Sequence, residues 1–169
     1  MTSPELAPVA ADAALEPIAL ETDGFDAFYA REYASMLRTA IGLVDRRDRA
    51  EELVQDAFER TLLRWSRLDN PAAFARTVLV NGARSELRRR AVARRWMAPK
   101  AAVDEVPEPN DQLLAALATL TPKRRVAIVL RIVEDRSEAE TARLMQCRVG
   151  TVKSLVSRGL ADLRKALSS

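Results

Sequence analysis

The chain has 169 residues, of which 48% are apolar and 30% are charged, and this composition is typical of a folded protein with one ordinary domain or two small ones. It contains no histidine and a single cysteine, which excludes histidine-based catalysis, histidine-ligated metals, internal disulfides and cysteine-cluster metal sites. Its net charge of +3 suits a polyanionic partner, although solvated helix faces alone would also produce it.

The sequence also limits the fold class and the compartment. No stretch has the length of apolar sequence needed to cross a membrane, and the N-terminus lacks the basic and apolar segments of a signal peptide. Five glycines against eight prolines disfavour a turn-rich β fold and favour helices. We expect a reduced, cytoplasmic, all-α protein with no catalytic residue, cofactor, metal site or membrane insertion.

The first part of the chain divides into a tail and three or four predicted helices. Residues 1–22 hold three prolines, four acids and no basic residue, which predicts a disordered tail. Apolar residues at helical spacing then predict helices over about 25–44 and 48–66. A third helix is predicted to begin at Asn70 and Pro71, because asparagine caps a helix and proline fits its first turn.

A linker is predicted in the middle of the chain. Residues 97–110 hold three prolines and several acids but no apolar stripe, which is typical of a flexible connection. This linker separates a domain at 23–96 from a domain at 111–169. All eight aromatic residues precede the linker, so the two domains differ in composition.

Residues 137–158 carry the strongest local signal, which is that of a helix-turn-helix. Ser137 with Glu140 three residues later forms a capping box, and Gln146 stands in the turn where glycine is common, which predicts a left-handed backbone there. The polar face of the second helix suits the major groove of DNA, because hydroxyls and cations meet phosphates and base edges. An ordinary hairpin with a solvated face is the alternative. This recognition face consists of Thr151, Lys153, Ser154, Ser157 and Arg158.

Arginines cluster towards the end of the third predicted helix, where Arg84, Arg88 and Arg95 share one face. Such a cluster either contacts phosphates or forms a solvated helix end whose cations suit the helix dipole. Three aromatic residues, Trp65, Phe74 and Trp96, could stack on unpaired bases. We expect Phe74 in the core instead, whereas for Trp96 a structural role and a stacking role both stay open.

The second predicted helix carries a carboxylate-rich face over residues 48–59. A solvated face is the simplest interpretation, and docking on a basic protein surface is the alternative. Acid–base catalysis by paired carboxylates is conceivable for Glu51, Glu52 and Asp56, but no glycine-rich or metal-ligand context accompanies them. We therefore expect no catalytic site.

Three segments and their order carry a family resemblance. They are DRAEELVQDAFERTL at 48–62, NPAAFARTVLVNGARSELRRR at 70–90 and, after the proline-rich linker, CRVGTVKSLVSRGLADLR at 147–164. Together they resemble the two-domain extracytoplasmic-function group of bacterial RNA polymerase sigma factors, and most of all an actinobacterial subgroup. The resemblance covers about residues 25–167.

The resemblance implies a division of labour between the domains. The first domain would bind the clamp coiled coil of the polymerase β′ subunit and capture a flipped base of the −10 promoter element. The second would read the −35 element as duplex through the recognition face and contact the β flap. The positions that match the polymerase-binding helix, here called the core-binding set, are Asp48, Glu51, Glu52, Leu53, Gln55 and Asp56. The positions that match the −10 reader, here called the −10 set, are Asn81, Arg84, Ser85, Arg88 and Arg89.

This sequence departs from the family pattern at a few of these positions. Ser85 stands where many members have aspartate, and Leu155 and Ser157 replace the larger or basic residues of some members. The −35 specificity therefore does not carry over. An anti-sigma partner is common in the group, although no residue here points to one.

The sequence predicts an all-α protein of two small helical domains joined by a flexible linker, the second domain being a helix-turn-helix. Its predicted function is that of a sigma factor, which binds core RNA polymerase and directs promoter recognition and transcription initiation. The alternative is a free-standing helix-turn-helix regulator that binds duplex DNA as a dimer.

Overall fold

The computed structural model describes residues 24–44, 46–96 and 111–168, and every regular element in these ranges is helical. The predicted tail and the predicted linker lie outside the described residues. The all-α prediction is confirmed. The helices are α1 (Phe25–Val44), α2 (Arg47–Leu62), α3 (Pro71–Trp96), α4 (Asp111–Thr119), α5 (Pro122–Ile128), α6 (Glu138–Met145) and α7 (Val149–Leu167), with a 3₁₀ turn at Trp65–Arg67 and a π-helical turn at Val129–Val133.

The first domain packs α1, α2 and α3 around a cluster of aromatic rings. The rings of Phe28 and Phe58 lie 5.7 Å apart in an edge-on arrangement, which is favourable for aromatic pairs. The sequence predicts a second helix that reaches residue 66, whereas α2 ends at Leu62. The reason is that the backbone leaves the helical conformation at Arg64 and turns Trp65 back onto Phe25, with 5.2 Å between the ring centres.

Helix α3 packs against α2 at Gly82. A Cβ atom there would lie 2.8 Å from Cδ2 of Leu53, so a larger residue would require the end of the Leu53 side chain to shift. The start of α3 is as predicted, since Asn70 Oδ1 accepts a hydrogen bond from the Ala73 N–H at 2.9 Å. These two features fix α3 along the side of α2.

The second domain contains the predicted helix-turn-helix in α6 and α7. The capping box is present, with Ser137 Oγ accepting from the Glu140 N–H at 3.2 Å and the Glu140 carboxylate accepting from the Ser137 N–H at 2.9 Å. Gln146 has the predicted left-handed backbone, with φ 53° and ψ 50°. Val152 is fully buried and seals α7 against the domain. The sequence thus predicts this motif down to its turn.

The two domains share one apolar core, which the sequence does not predict. Buried residues of α1, α2 and α3 are continuous with buried residues of α4, α5 and α6. Gly42 of α1 lies against Val129, where a Cβ atom would be 3.3 Å from the valine side chain. The domains are therefore packed against each other in this state of the molecule.

Candidate nucleic-acid interface

The recognition face of α7 points to solvent along its whole length. Thr151, Lys153, Ser154, Ser157 and Arg158 are all exposed, while Val152 between them is buried. The Lys153 ammonium lies 3.5 Å from the Glu138 carboxylate, and such an exposed pair contributes little and is easily exchanged for a phosphate. The face therefore offers hydroxyls and cations on a rigid helix, as major-groove recognition requires.

Arg148 belongs beside this face and was not among the predicted site residues. It is exposed and occupies the N-cap position of α7, where the helix dipole also favours anions. Its place at the end of the turn, directly before the helix start, is the signal by which the sequence could have indicated it.

The −10 set lies on α3, but its members face two different depressions. Arg84 and Arg88 line a cleft that is shared with the second domain, whereas Asn81 lines a groove between α2 and α3. Asn81, Arg88 and Arg89 are exposed, and Arg84 and Ser85 are half-buried. The structure therefore places the Asn81 amide in a different depression from the guanidinium groups of Arg84 and Arg88.

The Asn81 groove has a volume of about 400 Å³ and a polar, partly aromatic wall. The Arg64 guanidinium lies over the Phe74 ring, 5.3 Å from its centre, and Arg60 also lines the groove. The prediction that Phe74 belongs to the core is wrong, because this half-buried ring forms part of the groove wall under Arg64. Phe74 and Asn81 are seven residues apart, which places them on one helix face, so helical spacing could have indicated this pairing.

The core-binding set lies along one side of α2, and its carboxylates are ion-paired. Arg47 pairs with Glu51 at 2.9 Å and Arg60 with Asp56 at 2.8 Å. Arg46 and Arg49 pair with Asp48 and Glu52, respectively. The face is therefore a mosaic of both charges rather than an acidic stripe.

The members of the core-binding set differ in exposure. Asp48, Glu52 and Gln55 are exposed, Glu51 and Asp56 are partly buried, and Leu53 packs against α3 at Gly82. Hydrogen bonds from the Arg46 side chain and the Arg49 backbone hold the pKa of Asp48 below its usual value. The Asp48 carboxylate is thus held in the ionised form, as binding to a basic surface requires.

Glu86 links the two faces of the first domain. Its carboxylate accepts from Arg49 of α2 at 3.1 Å and from Arg89 and Arg90 of α3 at 2.6 and 3.0 Å. Burial raises the pKa of Glu86, but the hydrogen bonds from Arg49 and Arg90 outweigh burial and hold it below its usual value. Sequence analysis missed Glu86, although it lies between Ser85 and Arg88 of the −10 set along the chain.

The chemistry of the described residues is that of a binding protein. Within the ranges that the structure describes, no group of three or more carboxylate, histidine or cysteine side chains is arranged to hold a metal ion. Among the helices of the same ranges, none combines the length and the apolar character of a membrane span.

Two family models match the chain, and together they cover both helical domains. The model described as Sigma-70 region 2 matches residues 28–104, and the model described as Sigma-70, region 4 matches residues 110–163. The first match includes the core-binding set and the −10 set, and the second includes the recognition face.

Curated relatives match over most of their length. The RNA polymerase sigma-E factor of Streptomyces avermitilis is 33% identical over 153 residues, which is 86% of this chain and 86% of that protein. The sigma-E factor of Streptomyces antibioticus is 34% identical over 143 residues, 80% of this chain and 79% of that protein.

Solved structures share the fold across both domains. The sigma factor RpoE of Bartonella quintana, in complex with the anti-sigma factor NepR, matches with a TM-score of 0.72 and 25% identity over 87% of this chain and 98% of its own. CnrH in complex with the cytosolic domain of CnrY matches with a TM-score of 0.67 and 20% identity, over 87% of this chain and 89% of its own.

Proposed function

The chain belongs to the extracytoplasmic-function group of sigma-70 factors, which bind core RNA polymerase and direct promoter recognition, and we propose which of its surfaces carry that work. The alternative of a dimeric helix-turn-helix regulator is not favoured, because the chain matches region 2 as well as region 4. Sigma factors are initiation factors and not enzymes. We propose that this protein has no catalysis of its own and acts in the cytoplasm with the polymerase.

We propose that the recognition face reads the −35 element as duplex. The support is the exposure of all five of its side chains on one rigid helix, with Arg148 at the helix start. Lys153 and Arg158 would contact phosphates or guanine edges, and the three hydroxyls would contact either.

We propose that the Asn81 groove receives a flipped base of the −10 element. The observation that carries this proposal is the juxtaposition of an exposed amide with the Arg64 and Phe74 pair in a groove of about 400 Å³. An amide hydrogen-bonds the edge of a base, and a guanidinium or an aromatic ring stacks on its face. Arg88 and Arg89, which are exposed further along α3, would hold the adjoining phosphates.

We propose that the core-binding set docks on the clamp coiled coil of the β′ subunit. Asp48, Glu52 and Gln55 are exposed on one side of α2, and the ion pairs with neighbouring arginines hold the carboxylates in defined positions. A basic partner surface would exchange these local pairs for intermolecular ones. The second domain would contact the β flap, as the family resemblance implies.

We propose an anti-sigma factor as a further partner. The support is the likeness to RpoE, which extends over 87% of this chain and was found with RpoE held by an anti-sigma factor. Affinity capture with the full chain from its own cells tests this proposal. Recovery of core polymerase without a further partner would contradict it.

We propose that the domains comprise residues 23–96 and 111–169 and are joined by a flexible linker at 97–110. Limited proteolysis of the full chain is expected to cut first within 97–110. Because the domains share an apolar core, the two fragments are expected to stay together on a sizing column under native conditions. A first cut inside α2 or α7 would contradict the domain assignment.

The direct test of the function is reconstitution with core RNA polymerase. The full chain is expected to co-purify with core enzyme and to support run-off transcription from a randomised promoter library. The selected sequences would then report the −10 and −35 elements. A chain that binds duplex DNA but not core polymerase would contradict sigma function.

A further inference from the structure

The cleft between the two helical domains is large enough to hold a small molecule. Its volume is about 620 Å³, which lies within the range of ligand pockets in proteins. Helix α3 of the first domain forms one wall, and residues of α5, α6 and α7 of the second domain form the rest. Charged and apolar side chains both line the cleft, and small-molecule sites show the same combination.

Five cationic side chains line this cleft, and four of them form no ion pair within the ranges that the structure describes. The fifth is Arg124, which pairs with Asp162 at 2.5 Å. No acidic residue is found among the described residues that line the cleft. Like charges that are held close together repel, and a bound anion with several charges would relieve that repulsion. The four cations without a carboxylate partner, here called the cationic rim, are Arg84, Arg88, Lys123 and Arg158.

A hydroxyl group adjoins the cationic rim. Thr121 lines the cleft and occupies the N-cap position of α5, but its side chain forms no capping hydrogen bond with that helix. The Thr121 hydroxyl can therefore donate a hydrogen bond to a ligand or accept one from it. It adds a neutral polar group to a mouth that is otherwise lined by cations.

The deeper part of the cleft is apolar and is here called the apolar floor. It consists of Val126, which is fully buried, Met145, which is 4% exposed, and Leu155, which is half-buried. Three of the four rim residues are exposed. Because the apolar residues are more buried than the rim, they form the bottom of the cleft and the cations form its mouth.

The number of cations in the rim indicates the kind of anion that fits. A ligand with a single carboxylate, such as a fatty acid, would neutralise one cation and leave the others unpaired. A di- or triphosphate carries several charges on one short chain, and its oxygens match the forked donors of arginine. The cationic rim therefore fits a polyphosphate.

The apolar floor indicates what else the ligand carries. A nucleobase has apolar aromatic faces and polar edges, so it can lie on the floor while its edges meet polar groups. The thioether of Met145 suits an aromatic ring, and the guanidinium of half-buried Arg84 can stack on a ring face. An inorganic polyphosphate would leave the floor without a partner.

We propose that the cleft is a binding site for a nucleoside polyphosphate, whose base lies on the apolar floor and whose phosphates are bound by the cationic rim. This site goes beyond promoter recognition, and binding by the free chain requires neither polymerase nor DNA. The alternative is a rim that binds only the phosphates of promoter DNA, for which the apolar floor has no role. The two differ in the affinity expected for a nucleotide relative to a bare polyphosphate.

The first test is a titration of the full free chain with ATP, GTP and inorganic tripolyphosphate at moderate ionic strength. At least one nucleotide is expected to bind about tenfold more tightly than tripolyphosphate, because stacking of its base adds to the contacts of its phosphates. Failure of both nucleotides to bind at concentrations up to about 1 mM would overturn the proposal. Equal affinities for the nucleotides and tripolyphosphate would also overturn it.

The second test removes charge from the cationic rim. The double variant Arg84→Gln with Arg88→Gln is expected to weaken nucleotide binding by at least about tenfold, because each residue donates a charge-assisted hydrogen bond. Arg38→Gln with Arg67→Gln is the matched control, since both arginines are exposed in the same domain and neither lines the cleft. Circular dichroism checks folding. Equal losses in both proteins would show a general charge effect and no site.

A rim residue of the second domain tests whether both domains contribute to the site. Lys123→Gln is expected to weaken nucleotide binding several-fold, because its ammonium would lose a phosphate contact. Lys165→Gln is the matched control, since Lys165 is exposed in the same domain and does not line the cleft. Equal affinities of the two variants would contradict a site that is shared between the domains.

The third test separates the apolar floor from the rim. Leu155→Ala is expected to weaken nucleotide binding several-fold and to leave tripolyphosphate binding unchanged, because only the nucleotide contacts the floor. Tripolyphosphate is thus the control for the integrity of the rim. A nucleotide affinity that Leu155→Ala leaves unchanged, or that falls together with the affinity for tripolyphosphate, would show that the base does not lie on the floor and would overturn the proposal.

Discussion

The polar faces of α2 and α7 differ in the sign of their charges, and the structure shows that they also differ in how those charges are paired. Both are charged faces of amphipathic helices, but the four carboxylates of the core-binding set are paired with arginines of α2 or of the residue before it. On the recognition face, the single ion pair recorded among the described residues is the exposed one between Lys153 and Glu138. A surface with unneutralised cations attracts a polyanion at long range, whereas a mosaic of paired charges recognises its partner by position.

The largest effect is expected from reversing charges in the core-binding set on α2. The double variant Glu52→Lys with Asp56→Lys should weaken core polymerase binding by about a hundredfold, because like charges facing a basic partner replace attraction with repulsion. Equilibrium binding to core enzyme measures this effect, with circular dichroism as the check on folding. The double variant Asp26→Lys with Asp69→Lys is a matched control for charge, since both residues are exposed in the same domain. Equal losses in both proteins would indicate a general charge effect and no docking face.

The recognition face should respond differently to salt. Lys153→Ala or Arg158→Ala is expected to weaken promoter binding by about tenfold at moderate ionic strength. If the lost contact is to phosphate, all sequences suffer alike and the salt dependence falls by about one unit. If it is to a base edge, discrimination at one −35 position falls by roughly 1–3 kcal/mol. Lys165→Ala, at an exposed position near the end of α7, is the control and should change neither quantity.

The Asn81 groove should act on melted DNA through hydrogen bonding and not through charge. Asn81→Ala is expected to slow open-complex formation several-fold and to leave the salt dependence unchanged, because an amide adds no charge. A template with a pre-melted −10 bubble should restore part of the loss, since unstacking is then already complete. Permanganate reactivity on duplex and bubble templates measures this. Equal impairment of closed and open complexes would remove Asn81 from base capture.

Helix caps and tight turns could be predicted from the sequence, because each depends on residues that are close together along the chain. The capping box at Ser137, the left-handed Gln146 and the start of α3 at Pro71 each depend on residues a few positions apart. The end of α2 was misplaced, because Trp65 turns back to reach Phe25, a contact between residues forty positions apart. Tertiary packing overrides helical periodicity at such points.

The site residues show the same limit. Exposure of the recognition face follows from the alternation of Val152 with polar neighbours, and sequence alone predicts it. The Phe74 and Arg64 pair depends on how α3 crosses the end of α2, and the hydrogen bond from Ser35 of α1 to Glu134 of the second domain depends on how the two domains meet. Neither leaves a periodic signal, because in each case the partners are brought together from separate elements.

The smallest effect concerns Glu86, whose carboxylate accepts hydrogen bonds from Arg49 of α2 and from Arg89 and Arg90 of α3. The pKa of Glu86 lies below its usual value of 4.5, so the ionised carboxylate stabilises the folded state at pH above that value. This stability is lost as pH falls through the lowered folded pKa, because the proton displaces the arginine contacts. Glu86→Gln should therefore cost about 1 kcal/mol near neutral pH, after allowance for solvent screening. Its difference from the parent should shrink once the pH falls below 4.5. Chemical denaturation at a series of pH values measures this, with Glu59→Gln on the exposed side of α2 as the control. A Glu86→Gln deficit that stays constant down to pH 3 would show that the side chain contributes through its shape and not through its charge.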